Sequence, residues 1–223
     1  MKRFIIGPAY PLRGGISESN QSLHSSFLSI DKGSLIISYS LQYPNFLFPG
    51  KSQFMPGLQK DDCTVLPLIN SINPISWYKT AAYILKQNPN YLIVRYWHPY
   101  FALCLFFILF LVRIKSIPVI AWVDNVNPHE KFPLQSFLNS IFFSFFDIFV
   151  VMSKSVKLNL LKYRTCKNKV VEILPHPVYN VFGPPISKDL AKKNLSIDVS
   201  ERCILFFGMV RKYKGLDILL NAM

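Results

Sequence analysis

Cysteine is sparse in this 223-residue sequence and never paired: Cys63, Cys104, Cys166 and Cys203 lie far apart, with no C-x-x-C spacing and no close histidine. That pattern excludes a zinc site of the usual spacing and a disulfide framework, and leaves buried free thiols in a reducing compartment as the expectation. Long hydrophobic runs are missing too. The longest, Phe101 to Val112, has twelve apolar residues and is closed by Arg113; a bilayer span needs about 20, so the run reads as a buried helix. The basic start, Met1 to Gly7, is cut off by Pro8 too early for a signal-peptide core, and reads as a first strand. Acidic residues are few, 12 against 25 lysines and arginines, for a net charge of +13. Such a chain suits nucleotide phosphates, an acidic membrane surface or nucleic acid, and charge alone does not choose. No recognition helix, zinc finger or aromatic RNA-binding motif is present, so nucleic acid is not expected as a partner. Asp61 and Asp62 are adjacent and lack D-x-D spacing, so no metal site is inferred.

What is present is a strong alternation. Hydrophobic residues make up 51% of the chain, enough for a real core. Short β-branched or aromatic runs alternate with longer helical stretches, the pattern of βαβ units around a parallel sheet covered on both faces. Strands are predicted at Arg3 to Ile6, Leu35 to Ser40, Thr64 to Leu68, Leu92 to Tyr96, Val119 to Val123, Ile148 to Met152, Val170 to Leu174 and Ile204 to Phe207. Helices are predicted at Ile16 to Ser29, Ile75 to Lys86, Tyr100 to Ile114, Leu134 to Phe145, Ser155 to Tyr163 and Lys188 to Asn194. A proline-rich stretch around Pro175 to Ser187 reads as a linker. The expected organisation is a Rossmann-like first domain over 1–182, a linker over 183–199, and over 200–223 the start of a second Rossmann-like domain that the chain leaves incomplete.

Three segments carry candidate chemistry. After the first strand, Gly14-Gly15 opens a helix, where missing side chains let an anion approach backbone N–H groups at the positive end of the helix dipole; a simple turn is the alternative. It is not the G-x-G-x-x-G fingerprint, which disfavours a nicotinamide enzyme. Beyond the fifth strand, Asp124-Asn125-Val126-Asn127-Pro128-His129-Glu130 gathers polar groups at the carboxyl end of a parallel strand, the usual ligand crevice, or else forms a loop bonded to its own backbone. Near the end, Arg211, Lys212 and Lys214 precede a helix, where cations and free N–H groups suit a diphosphate; a solvated basic loop is the alternative. The stretch from Met152 to Val171 holds six cations and no acid, fitting either a membrane surface or an ordinary solvated face.

Together, Gly7-Pro8 with Arg13-Gly14-Gly15, the Asp124 to Glu130 segment, Val151-Met152-Ser153-Lys154-Ser155-Val156, Leu174-Pro175-His176-Pro177-Val178-Tyr179, and Phe207-Gly208 with Lys214-Gly215-Leu216-Asp217 resemble family 4 glycosyltransferases of the GT-B fold, in particular bacterial members that build surface polysaccharides. The resemblance implies transfer of a sugar from a nucleotide diphosphate donor to an acceptor hydroxyl with retention, without metal or cofactor, the nucleotide sugar being a substrate. It assigns Gly14, Gly15, Arg211 and Lys214 to the donor, Asp124 to catalysis, and Asn125, His129 and Glu130 to the acceptor side. Many relatives have histidine where Asp124 stands, and an arginine nearer the glycine than Arg211. The implied acceptor is lipid-linked or saccharide, and the implied location is cytoplasmic, peripheral on the inner membrane face. The acidic motif that holds the donor sugar in the family has no counterpart before Met223, so the chain by itself is expected to be inactive. The alternatives are a non-catalytic fragment and a basic membrane-surface binding protein.

Overall fold

The computed structural model describes residues 1–44, 52–55, 64–127, 135–177, 183–208 and 210–223. It divides into two units, Met1–His176 and Pro177–Met223. The first unit is built on a seven-stranded parallel sheet of β1 (Arg3–Ile6), β2 (Ser34–Leu41), β3 (Val65–Asn70), β4 (Tyr91–Tyr96), β5 (Val119–Val123), β6 (Ile148–Val151) and β7 (Val170–Ile173), in the order β3-β2-β1-β4-β5-β6-β7. The helices are α1 (Gly15–Ile30), α2 (Pro74–Gln87), α3 (Ala102–Val112), α4 (Gln135–Phe143) and α5 (Lys154–Leu160). This is an α/β fold of the doubly wound, Rossmann-like kind, in which the order turns back between β1 and β4 and leaves a crevice at their carboxyl ends.

Side-chain alternation sorts the sheet into two faces. Phe4, Ile6, Leu92, Val94, Val119, Ala121, Phe149 and Val151 form one core with the buried sides of α2, α3, α4 and α5, whereas Ile5, Ile36 and Ile93 pack with Leu23 and Phe27 of α1. Continuous β-branched runs form these strands because both of their faces are in contact with apolar groups. On the α1 face one register row runs Ile36, Ile5, Ile93, Ile120, Ile148, Val170. Ile36 and Ile5 are fully buried beneath α1, and exposure then rises to 37% at Ile148 and 53% at Val170. Pro67 sits in β3, which is an edge strand, where its missing N–H interrupts no interior ladder.

Most element ends fall within a residue or two of the expectation; α5 stops at Leu160, three residues before the predicted Tyr163. The predicted helix from Tyr100 to Ile114 is α3 flanked by short 3-10 turns at Pro99–Phe101 and Arg113–Lys115. In the second unit α6 (Lys188–Asn194) and α7 (Leu216–Asn221) form, but Ile204 to Phe207 is not a strand. Its composition favours β structure, yet among the described residues no neighbouring strand supplies the ladder, and Leu205 and Phe207 are 84% and 89% exposed. Cys104 and Cys166 are buried free thiols, while Cys203 is exposed, which corrects the expectation for that residue. Cys63, Asp61 and Asp62 lie outside the described residues.

Candidate functional site

β1 runs into the crevice and ends at Gly7, whose position tolerates no side chain: a Cβ there would lie 2.6 Å from Asn20 Nδ2 and 2.9 Å from Arg95 Cβ. The close approach brings β1, α1 and β4 together. Asn20 Nδ2 donates to the Pro8 carbonyl at 2.8 Å, and the Ala9 amide donates to Ser38 Oγ at 3.0 Å. The chain then reaches α1 through Gly14, whose φ of 127° and ψ of 159° belong to a region open essentially to glycine alone. Gly15 differs: its backbone is ordinary and a Cβ would meet nothing within 4 Å. Neither its conformation nor packing against the described residues therefore requires glycine at position 15. No side chain caps this helix start, and Glu18 of its first turn accepts a hydrogen bond from the Tyr10 hydroxyl.

The central feature is an ion pair that joins three elements. Arg95, on β4 and only 1% exposed, donates from Nε to Asp124 Oδ2 at 2.8 Å and from Nη2 to Asp124 Oδ1 at 2.9 Å. Nη2 also donates to Ser19 Oγ of α1 at 3.0 Å, and the guanidinium lies over the Trp122 ring, 4.9 Å from its centroid. Asp124 follows β5 directly, its amide bonded to the Tyr96 carbonyl, and its side chain is 13% exposed. Burial pushes the Asp124 carboxyl above the ordinary carboxylate value; the Arg95 charge and hydrogen bonds pull it back, and His176, beyond the end of β7, acts in the same direction as Arg95. Beside this pair, Ser17 Oγ and Asn20 Oδ1 of α1 and Trp122 Nε1 are buried polar atoms without a hydrogen-bond partner among the described residues. Such atoms are uncommon in native interiors, because burying a polar group unsatisfied costs about 1–3 kcal/mol in lost hydration.

The remaining sequence candidates are placed as follows. Asn125 Oδ1 accepts from the Asn127 amide at 3.2 Å, so that side chain is engaged with its own loop. The loop is tied to α4 by Gln135, which donates to the Val126 carbonyl and to Asn127 Oδ1, both at 3.1 Å. His129 and Glu130 lie outside the described residues. In the second unit, Arg211 precedes a 3-10 turn at Lys212–Lys214 and α7 follows. Gly208 has φ 117°, and a Cβ on it would be 2.7 Å from Lys214 Nζ, so the ammonium rests against the glycine backbone. Among the described residues no group of three or more His, Cys, Asp or Glu is arranged to hold a metal ion.

Arg95, Ser19, Trp122 and His176 were not singled out as site residues from the sequence. Arg95 did carry a signal: an arginine inside a strand expected to be buried on both faces needs an anion within reach.

No family model matches the chain, and no curated protein matches it. Among solved structures the chain is similar to a UDP-N-acetylglucosamine 2-epimerase from Rickettsia bellii, at 13% identity and a TM-score of 0.48, over 77% of this chain and 44% of that one. The chain thus spans less than half the length of that enzyme.

Proposed function

We propose that the chain serves glycosyl transfer from a nucleotide diphosphate sugar to an acceptor hydroxyl, with retention, and that the crevice at β1, β4 and β5 receives the reacting sugars. The observation that carries this reading is the Arg95–Asp124 pair held against Ser19 of α1. Ser19, which Arg95 holds, stands about one helical turn after Gly15 on α1, so the same helix that meets the ion pair opens with a bare backbone suited to a phosphate.

The pairing narrows what Asp124 would do. Two hydrogen bonds to the guanidinium favour the charged form of Asp124 against the opposing effect of burial, and each oxygen keeps a lone pair for a sugar or acceptor hydroxyl. Its negative charge is largely matched by Arg95, so orientation of hydroxyl groups is its principal role and electrostatic support of a cationic transition state a minor one. Lys214, in the second unit, would neutralise the departing diphosphate, with Arg211 assisting. The motif resemblance supports the same assignment.

Titration of the chain with UDP-, GDP- and dTDP-hexoses, beside Gly15→Leu, tests the reading. At least one nucleotide sugar should bind, and the leucine should weaken it by about tenfold while the melting temperature holds, since a Cβ at position 15 meets none of the described residues within 4 Å. Binding of none of them, or equal binding by the variant, would remove the start of α1 from a donor site.

A further inference from the structure

α3 is built entirely of apolar residues, Ala102 to Val112. A helix of that kind is expected to be buried all round. Its inner side is buried in the sheet core, but Leu103, Phe107 and Phe110, with Ile114 in the turn that follows, are 53%, 45%, 58% and 76% exposed. Their spacing of four, three and four residues puts them on one stripe. α3 lies between α2 and α4, and these neighbours add exposed Tyr78 and Phe137. Large apolar side chains gathered in this way mark an interaction surface rather than a solvated one.

Charge indicates the occupant. None of α2, α3, α4 and α5 contains an aspartate or glutamate. Exposed Lys79 and Lys86 stand on α2; Lys115, after α3, is also exposed, with its ammonium donating to the Leu85 carbonyl at 2.8 Å. Asp147, at the same edge, is matched by Arg113 at 3.0 Å. By contrast α1, on the other sheet face, carries Glu18 and a serine-rich outer side. A second copy of the chain docked through this face by a two-fold axis would oppose cations to cations. A bilayer with anionic headgroups meets both features at once, the apolar stripe entering the acyl boundary and the lysines reaching phosphates. α3 is too short to cross, and no helix among the described residues is long and apolar enough to do so.

We infer that the outer face of α2, α3 and α4 is a docking surface for an anionic membrane, on which the protein lies without spanning it. The sequence had pointed to the cations of Met152 to Val171 for this role. Several of these are engaged within the fold: Lys157 Nζ donates to the Val171 carbonyl, and Lys169 Nζ to the Phe143 and Ser144 carbonyls.

Co-sedimentation of the full chain with phosphatidylcholine vesicles, with and without phosphatidylglycerol, tests the inference. The chain should bind the anionic vesicles far better. Phe110→Ser with Ile114→Ser should lower partitioning by about tenfold or more, and Lys79→Ser with Lys86→Ser by about fivefold or more. Lys188→Ser with Lys193→Ser, on α6, should leave it unchanged. The urea midpoint reports whether the apolar pair still folds, and Ile114→Gln alone serves if it does not. Unchanged partitioning of a folded apolar variant, or an equal loss from the α6 lysines, overturns the inference. So does a dimer in size exclusion that the apolar pair dissociates while vesicle binding persists, which would make this face an interface between copies.

Discussion

Arg95 and Asp124 dominate the site at the scale of single residues, and their energetics decide how Asp124 can be probed. A buried pair contributes little net stability against apolar replacements, but removing one partner strands the other charge at a cost of about 3–5 kcal/mol. Arg95 is 1% exposed, so Asp124→Asn should destabilise the protein by about 3 kcal/mol, and a loss of activity in that variant would be uninterpretable without a stability measurement. Arg95→Met with Asp124→Leu should recover most of the loss. Urea unfolding of the four members of the cycle measures the coupling; losses that simply add would mean that the two groups do not depend on each other. The same pair shows where sequence reading of the site stops. Asp124 stands out because it follows a predicted strand directly, and Gly14 and Gly15 because they open a predicted helix. The partner of Asp124 comes from a strand 29 residues earlier, and only the parallel registration of β4 with β5 makes them neighbours.

Among the elements, α1 links the site to the fold, and its two opening glycines have different reasons for being glycine. Gly14 holds a backbone conformation that costs other residues about 1–3 kcal/mol, so Gly14→Ala should lower stability by that amount. Gly15→Ala should be neutral or stabilising by about 0.5 kcal/mol, since alanine suits a helix better and meets no neighbour. Denaturant midpoints of the two variants test the distinction, and equal losses would show that position 15 is also a backbone requirement. The elements themselves were the most legible part of the sequence. β1 and β5 have the predicted bounds, because β-branched runs bounded by glycine, proline or polar residues leave little choice of register for a strand buried on both faces. Ile204 to Phe207 has the same local composition and forms no strand. Propensity describes a segment, whereas a strand also needs a partner, which no local pattern specifies.

For the molecule as a whole, the distribution of the core gives the last prediction. Every apolar residue buried among the described residues falls between Phe4 and Val171, within the unit Met1–His176. In Pro177–Met223 the described apolar side chains are exposed or half-exposed, and the one buried residue among those described is Lys192, whose ammonium bonds to the Val199 and Glu201 carbonyls. A chain segment of this size with no fully buried apolar side chain among its described residues gains too little to offset the entropy of ordering its backbone, roughly 1–2 kcal/mol per residue. The first unit has a closed set of crossovers, and its sheet is filled on the α2 to α5 side. Residues 1–176 expressed alone should therefore give a helix-and-sheet far-UV spectrum and a single cooperative urea transition, with the slope of a small α/β domain, about 1–3 kcal/mol per molar urea. Residues 177–223 alone should give a sloping baseline without a midpoint. A cooperative transition in the short fragment, or its absence in the long one, would mean that the buried side chains do not mark where folding stability resides.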